Sequence, residues 1–134
     1  MSEKSENEGH ILGIGGIFIQ SPDRPALIAW YKRVLGFPYD GYGASFSSGG
    51  DGDTGTQLWS PFKDDSNYFA PSEKSFMLNL RVRDLDALIV KIRAEGVELV
   101  GEPESHDEGK FAWIMDPDGT KIELWQESSS LNSL

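Results

Sequence analysis

The sequence contains no cysteine among its 134 residues, which excludes disulfide bonds, thiolate metal ligands and thiol nucleophiles. Histidine is almost as scarce, with only His10 and His106 present. His10 ends the polar, acidic stretch MSEKSENEGH, and His106 lies in the acidic stretch PESHDEG, so we expect both at the surface. Neither position favours a serine–histidine–aspartate triad. The lack of cysteine is compatible with a reducing compartment.

The sequence also has few positively charged residues and no long apolar run. Twelve Lys and Arg residues face 22 Asp and Glu residues, for a net charge of −10. Proteins that bind nucleic acids usually need a basic face, so nucleic acid is an unsuitable partner. No stretch approaches the ~20 apolar residues of a membrane helix, and the start of the chain is unlike a signal peptide. We expect a cytoplasmic protein that binds neither nucleic acid nor membrane.

An internal repeat is the main organising feature of the chain. A shift of 61 positions superposes GIFIQSPDRPALI (16–28) on MLNLRVRDLDALI (77–89). Each copy has an alternating, strand-like run, then an aspartate suited to capping a helix, then a helical pattern. Gly36 and Gly96 follow these patterns, where left-handed residues commonly end helices. The repeat predicts two strand–helix units, with helices at 25–34 and 85–94.

A second match, at an offset of 66, superposes TGTQLWS (54–60) on TKIELWQ (120–126) and predicts the last strand of each half. Matches this short also arise by chance, but two in the same order argue against it. The larger offset gives the first half a longer turn, at 43–55, whereas a turn at 116–119 follows the strand 110–115 in the second half. The matches predict the following boundaries: tail 1–10, module one about 11–61, linker 62–74, module two about 75–127, and tail 128–134. Tyr68 and Phe69 are bulky for a free linker, which favours a linker that covers the space between the halves.

The longest motifs resemble the vicinal-oxygen-chelate superfamily, which includes glyoxalases, bleomycin resistance proteins and extradiol dioxygenases. They are DRPALIAWYKRVLGF (23–37), FMLNLRVRDLDAL (76–88) and DPDGTKIELW (116–125), and the resemblance covers roughly 12–126. It implies an α+β fold in which two βαβββ modules curl their mixed sheets around a central cleft. It also implies a homodimer, with the modules paired within one chain or swapped between two.

The resemblance implies metal-ligand positions on the first and last strand of each module. In this sequence they are Gly16 (Gly15 if the first strand contains a one-residue shift), Gln57, Met77 and Glu123. Glu123 is a suitable ligand and Gln57 an acceptable one, but a glycine has no side chain and a thioether suits zinc, nickel, iron or manganese poorly. We therefore expect no metal cofactor, which argues against metal-dependent lyase or dioxygenase chemistry.

Strand alternation extends this mapping to a cleft lining, because residues two apart share a face. If Glu123 faces inward, the predicted inward set is Gly16, Phe18, Gln20, Gln57, Trp59, Met77, Asn79, Arg81, Glu123 and Trp125. The predicted ligand-binding residues are Phe18, Gln57, Trp59, Met77, Asn79, Arg81 and Trp125. Aromatic rings around a few polar groups are typical of sites for small organic molecules. The opposite, aliphatic faces are expected to pack on the helices.

Two functions remain open at this point. The first is metal-independent binding of a small aromatic or cationic compound, as in the resistance proteins of the family that the chain resembles. The second is an enzyme of lyase, isomerase or dioxygenase type that uses Glu123 as a general base or as a metal ligand. Structural roles also remain open: Glu123 in a buried ion pair with Arg81, Trp59 and Trp125 in the core or a dimer interface, and Asn79 bonded to backbone.

Overall fold

The computed structural model describes residues 9–39, 41, 43–47 and 55–128. Three predicted regions lie partly outside the described residues. They are the tail 1–10 at residues 1–8, the tail 128–134 at residues 129–134, and the long turn 43–55 at its centre, residues 48–54. The elements are β1 His10–Ser21, α1 Arg24–Leu35, β2 Ala44–Ser47, β3 Thr56–Lys63, β4 Phe76–Arg83, α2 Leu85–Ala94, β5 Glu104–His106, β6 Gly109–Met115 and β7 Lys121–Glu127. The strand β1 therefore already includes His10, which was expected in the N-terminal tail.

One mixed sheet contains the seven strands of the described residues, in the order β2-β3-β1-β4-β7-β6-β5. The two halves join where β1 and β4 pair antiparallel, and each of these strands has the last strand of its own half as a parallel neighbour. The second half shows the complete βαβββ order. In the first half, the counterpart of the β5–β6 hairpin is reduced to a bridge between Tyr39 and Ala44. The predicted α+β architecture of two such modules is confirmed.

Both helices begin at the predicted aspartates. The Asp23 carboxylate accepts from the Ala26 amide at 3.1 Å, and the Asp84 carboxylate accepts from the Ala87 amide at 3.2 Å. Gly36 ends α1 in the left-handed region, with φ 70°. Side-chain oxygens at these positions satisfy amides that a helix leaves unpaired, which explains why the repeat predicted the helix boundaries well. Among the described residues, neither helix is long and apolar enough to span a membrane.

The helix-facing side of the sheet differs between the halves. In the second half a buried cluster joins α2 to the sheet through Val82, Leu85, Ile89, Ala112 and Leu124, as predicted. In the first half, no residue of α1 is fully buried, and Ile17 is 48% exposed. The main contact of α1 is aromatic, with the rings of Tyr31 and Trp59 4.3 Å apart. The expected aliphatic packing therefore applies fully only to the second half.

The opposite side of the sheet is concave. Thr56 on β3 donates to the Glu127 carboxylate on β7 at 2.8 Å, although β1 and β4 lie between these strands. In a flat sheet the two strands would be roughly 14 Å apart, so the sheet curls and brings them together. Residues 64–75, here called the crossing segment, connect β3 to β4 over this concave face. Phe69 anchors the segment in a buried cluster with Phe18 and Met77.

Candidate functional site

Glu123 forms the polar centre of the concave face. Strand pairing aligns it with Asn79 on β4 and with Trp113 on β6, so the three side chains share one face. The Glu123 carboxylate is 3% exposed and accepts from Asn79 Nδ2 at 2.6 Å and from Trp113 Nε1 at 2.9 Å. It also accepts from the hydroxyl of Tyr68 in the crossing segment. A buried carboxylate is stable only when its oxygens are hydrogen-bonded, and here three donors meet that need.

These contacts decide between the structural roles that the sequence left open for Glu123 and Asn79. Among the described residues, the partners of Glu123 are Tyr68, Asn79 and Trp113, and an ion pair with Arg81 is not among them. The amide nitrogen of Asn79 donates to Glu123 and not to a backbone group. Its oxygen Oδ1 is buried and has no hydrogen-bond partner in the described part of the chain. The described residues therefore leave this acceptor on the concave face unsatisfied.

Tyr68 lies in a slot formed by side chains from three strands. Its ring stacks on Phe62 at 5.5 Å with an interplanar angle of 12°, and it makes an edge-to-face contact with Trp113 at 6.4 Å and 89°. Lys121 Nζ lies 5.2 Å from the ring centroid. Burial, together with the neighbouring Glu123 carboxylate, raises the pKa of Tyr68 well above its usual range. The phenol is therefore a proton donor to Glu123 at neutral pH.

Lys121 is a buried cation on β7, two residues before Glu123. It is 7% exposed, and its Nζ donates to the backbone oxygen of Tyr68 at 2.7 Å. Burial lowers the pKa of Lys121, while the charge of Glu123 acts in the opposite direction. The concave face thus combines a carboxylate, an ammonium and a phenol among aromatic walls.

Eight of the ten residues predicted to face inward share this face in the structure. They are Gly16, Phe18, Gln20, Met77, Asn79, Arg81, Glu123 and Trp125. Trp125 stacks on Phe111 at 6.2 Å with an interplanar angle of 3°, and its Nε1 donates to the Glu108 carbonyl at 3.0 Å. It forms part of the aromatic wall beside Glu123.

Gln57 and Trp59 lie on the other side of the sheet. The parallel pairing of β1 and β3 aligns Gly16 with Leu58, so Leu58 faces the concave side and its neighbours face away. The predicted inward orientation of Gln57 and Trp59 is therefore wrong. The physical reason is that alternation has a period of two, so any odd shift between the repeats exchanges the faces of a strand. Trp59 instead packs on α1, in agreement with the core role that the sequence left open.

The positions that correspond to family metal ligands do not fit a divalent ion. A register shift between Ile14 and Gly16 marks a bulge, and a side chain added at Gly15 would collide with Asn79 Oδ1. Gln57 faces away from Glu123, and Met77 is fully buried in the apolar cluster around Phe69. Within the described ranges, no three His, Asp or Glu side chains lie close enough to share a metal ion. One carboxylate whose oxygens already accept three hydrogen bonds is a poor donor set.

Sequence reasoning missed three residues of the site. Trp113 and Lys121 follow from the same alternation that placed Glu123, because Trp113 pairs with Glu123 and Lys121 lies two positions before it. Tyr68 lies in a segment without periodicity, and its bulk was the only signal. Its contact with Glu123 depends on how the crossing segment folds over the sheet, which no local pattern encodes.

Comparison with known families identifies the chain at this level. The profile of the Glyoxalase/Bleomycin resistance protein/Dioxygenase superfamily matches residues 10–124. The chain belongs to this superfamily. A comparison with curated protein sequences finds no match.

Solved structures share the fold of this superfamily member. A methylmalonyl-CoA epimerase from Mycobacterium tuberculosis superposes with a TM-score of 0.66 at 23% identity, over 92% of this chain and 93% of the other. A variant of the Streptomyces coelicolor methylmalonyl-CoA epimerase gives 0.67 at 20% identity, over 88% and 99%. A superfamily member from Vibrio splendidus 12B01 gives 0.56 at 15% identity, over 85% and 97%. At these identities the similarity establishes the fold alone.

Proposed function

We propose that this protein binds a small organic molecule on the concave face of its sheet, with Glu123 as the polar anchor and without the metal site of the superfamily. The observation that carries the proposal is a buried carboxylate enclosed by neutral donors and aromatic rings. Proteins bind organic ligands in such surroundings, where apolar walls supply affinity and a few polar groups supply orientation. The unpartnered oxygen of Asn79 adds a second acceptor beside Glu123, which favours a ligand that carries hydrogen-bond donors.

The test is a thermal-shift screen of small amines, phenols and acyl-CoA thioesters against the wild type, Glu123→Gln and Glu95→Gln. Glu95 is a matched control because it is exposed at the C-terminal end of α2, the helix that packs on the other side of the sheet. We expect compounds that stabilise the wild type and Glu95→Gln but not Glu123→Gln, which keeps the shape of the side chain and removes its charge. Compounds that stabilise all three proteins equally would show that Glu123 is not the anchor.

The second candidate is an isomerase, because two of the three similar structures named above are methylmalonyl-CoA epimerases. One such structure holds methylmalonyl-CoA together with NH4+. An epimerase removes a proton from carbon and returns it to the opposite face, which requires a general base. Glu123 is the candidate base, but both of its oxygens already accept hydrogen bonds, so Tyr68 would have to leave before substrate could approach. Deuterium incorporation into methylmalonyl-CoA in D2O, with Glu123→Gln as the comparison, distinguishes this function from binding alone.

The homodimer and the cytoplasmic location remain predictions from the sequence. Sedimentation of the purified chain and fractionation of cells that express it would test them independently of the ligand.

A further inference from the structure

We infer that Tyr68 occupies the position of the ligand, so that the molecule bound at Glu123 is a neutral, electron-rich aromatic ring carrying an O–H or N–H donor. The inference rests on the proposed function and specifies its ligand class. It also assigns the crossing segment a role, because the tyrosine it supplies competes with the ligand for one slot.

The contacts of the Tyr68 ring are those expected of a bound aromatic molecule. One face stacks on Phe62, the ring makes an edge-to-face contact with Trp113, the Lys121 ammonium lies over the ring, and the hydroxyl donates to Glu123. Stacked and edge-to-face ring pairs add to the favourable free energy of burial, and a cation–π contact adds to it further. Phe62, Trp113, Lys121 and Glu123 all belong to the sheet, so the slot would persist if the tyrosine rotated out.

Tyr68 is also placed so that it can leave. It is 36% exposed, whereas the adjacent Phe69 is 1% exposed and holds the segment in the core. The backbone is fixed on both sides, because Gln20 donates to the Ser66 carbonyl at 3.2 Å and Ser72 donates to the Gly119 carbonyl at 2.6 Å. Rotation about the side-chain bonds of Tyr68 therefore empties the slot without unfolding the segment.

The charges in the slot narrow the ligand class further. Glu123 requires a donor at the inner end of the ring. Lys121 lies over the ring and would repel a cationic ring, but it attracts an electron-rich neutral one. The sequence left aromatic and cationic ligands equally open, and this geometry selects the aromatic class. A phenol or an aromatic amine meets both requirements.

The experiment removes the tyrosine ring and restores it as a free molecule. Tyr68→Ala is titrated with p-cresol, which is the tyrosine side chain itself, and with toluene, which lacks the hydroxyl. We expect p-cresol to bind Tyr68→Ala at least tenfold more tightly than the wild type, and more tightly than toluene. Tyr68→Phe is the matched control, because its ring still fills the slot but lacks the hydroxyl that donates to Glu123, and its affinity for p-cresol should lie between those of the wild type and Tyr68→Ala. Adding Glu123→Gln to Tyr68→Ala should abolish the preference for p-cresol over toluene.

A second measurement follows Tyr68 in the wild-type protein. In wild-type protein labelled with fluorotyrosine, p-cresol should shift the resonance of Tyr68, which Tyr68→Phe assigns. Equal binding of p-cresol and toluene to Tyr68→Ala, or an unmoved Tyr68 resonance at saturation, would overturn the inference. Ligands that depend on Glu123 but lack an aromatic ring would overturn it while the proposed function stands. If neither protein binds any compound of the screen, both proposals are wrong.

Discussion

Glu123 brings a negative charge into a buried face, where its three hydrogen-bond donors replace water. Two of the donors, Asn79 and Trp113, belong to neighbouring strands and are fixed by the register of the sheet. The third, Tyr68, belongs to the crossing segment and is partly exposed. The two donors on the strands should therefore contribute to the stability of the fold. The Tyr68 hydroxyl, in contrast, can be replaced by a donor group of a ligand.

Trp113→Phe and Trp125→Phe form a matched pair that tests this division. Both indoles are buried on the same face, but Trp113 donates to a carboxylate and Trp125 to a backbone carbonyl. Hydrogen bonds to charged groups contribute about 1.5–3 kcal/mol and neutral ones about 0.5–1.5 kcal/mol. We expect Trp113→Phe to lower the free energy of unfolding more than Trp125→Phe, as measured by urea denaturation with circular dichroism. Equal losses would mean that Glu123 does not depend on the indole.

Asp116 provides a test by pH at the turn between β6 and β7. Its carboxylate accepts from the Thr120 amide and from the Asp118 amide, each at 2.9 Å. These bonds, that of Thr120 first, hold the pKa of Asp116 below its usual value. A carboxyl whose pKa is lower in the folded state stabilises the fold above its unfolded pKa and loses that contribution as pH falls through the folded value.

The melting temperature of Asp116→Asn should therefore lie below that of the wild type at neutral pH, by a difference that is constant above about pH 5. The difference should shrink as the pH falls below about 4, where the wild-type carboxyl takes up its proton. Thermal unfolding of both proteins across this range measures the effect. A difference that grows in acid would contradict the assignment.

At the scale of elements, the sequence predicts what local chemistry determines. The aspartate caps, the glycine after α1 and the turn at 116–119 are where the patterns placed them. Three features depend instead on pairing between strands: the face of β3, the bulge at Gly15 and the reduced hairpin of the first half. The alternation of side chains along one strand does not determine how that strand pairs with its neighbour. The same limit explains the site: with Glu123 placed inward by the family resemblance, alternation placed Asn79 correctly but not Trp59, and the position that the resemblance gave to Gln57 was also wrong.

The two caps differ in a way that mutation can measure. Asp84 has a left-handed backbone with φ 60°, whereas Asp23 has φ −146°. Loss of a capping side chain costs about 0.5–2 kcal/mol on replacement by alanine but only a few tenths on replacement by glycine. A left-handed alanine costs roughly 1–2 kcal/mol more. We expect Asp84→Ala to destabilise more than Asp23→Ala, and Asp84→Gly to destabilise least, in urea denaturation. Equal losses for Asp84→Ala and Asp84→Gly would show that the backbone is unstrained there.

At the scale of the whole molecule, the two modules are joined by the β1–β4 pairing and by Phe69. This ring packs on Phe18 of the first module and on Met77 of the second. Phe69→Ala should lower the free energy of unfolding by about 3–5 kcal/mol, the usual effect of such a cavity. Phe76→Ala should have a smaller effect, because Phe76 is 37% exposed.

Since the two modules share the cluster around Phe69, circular dichroism and tryptophan fluorescence should report one unfolding transition. Two separate transitions would contradict a single cooperative unit.

The central claim is that this superfamily member uses its concave face through Glu123 without a metal ion. Elemental analysis tests it most directly, on wild-type protein and Glu123→Gln incubated with zinc, nickel, iron and manganese and then desalted. We expect no stoichiometric metal in either protein, because the carboxylate is already bonded to Tyr68, Asn79 and Trp113. One metal ion per wild-type chain, absent from Glu123→Gln, would contradict the account and support a metal-dependent enzyme.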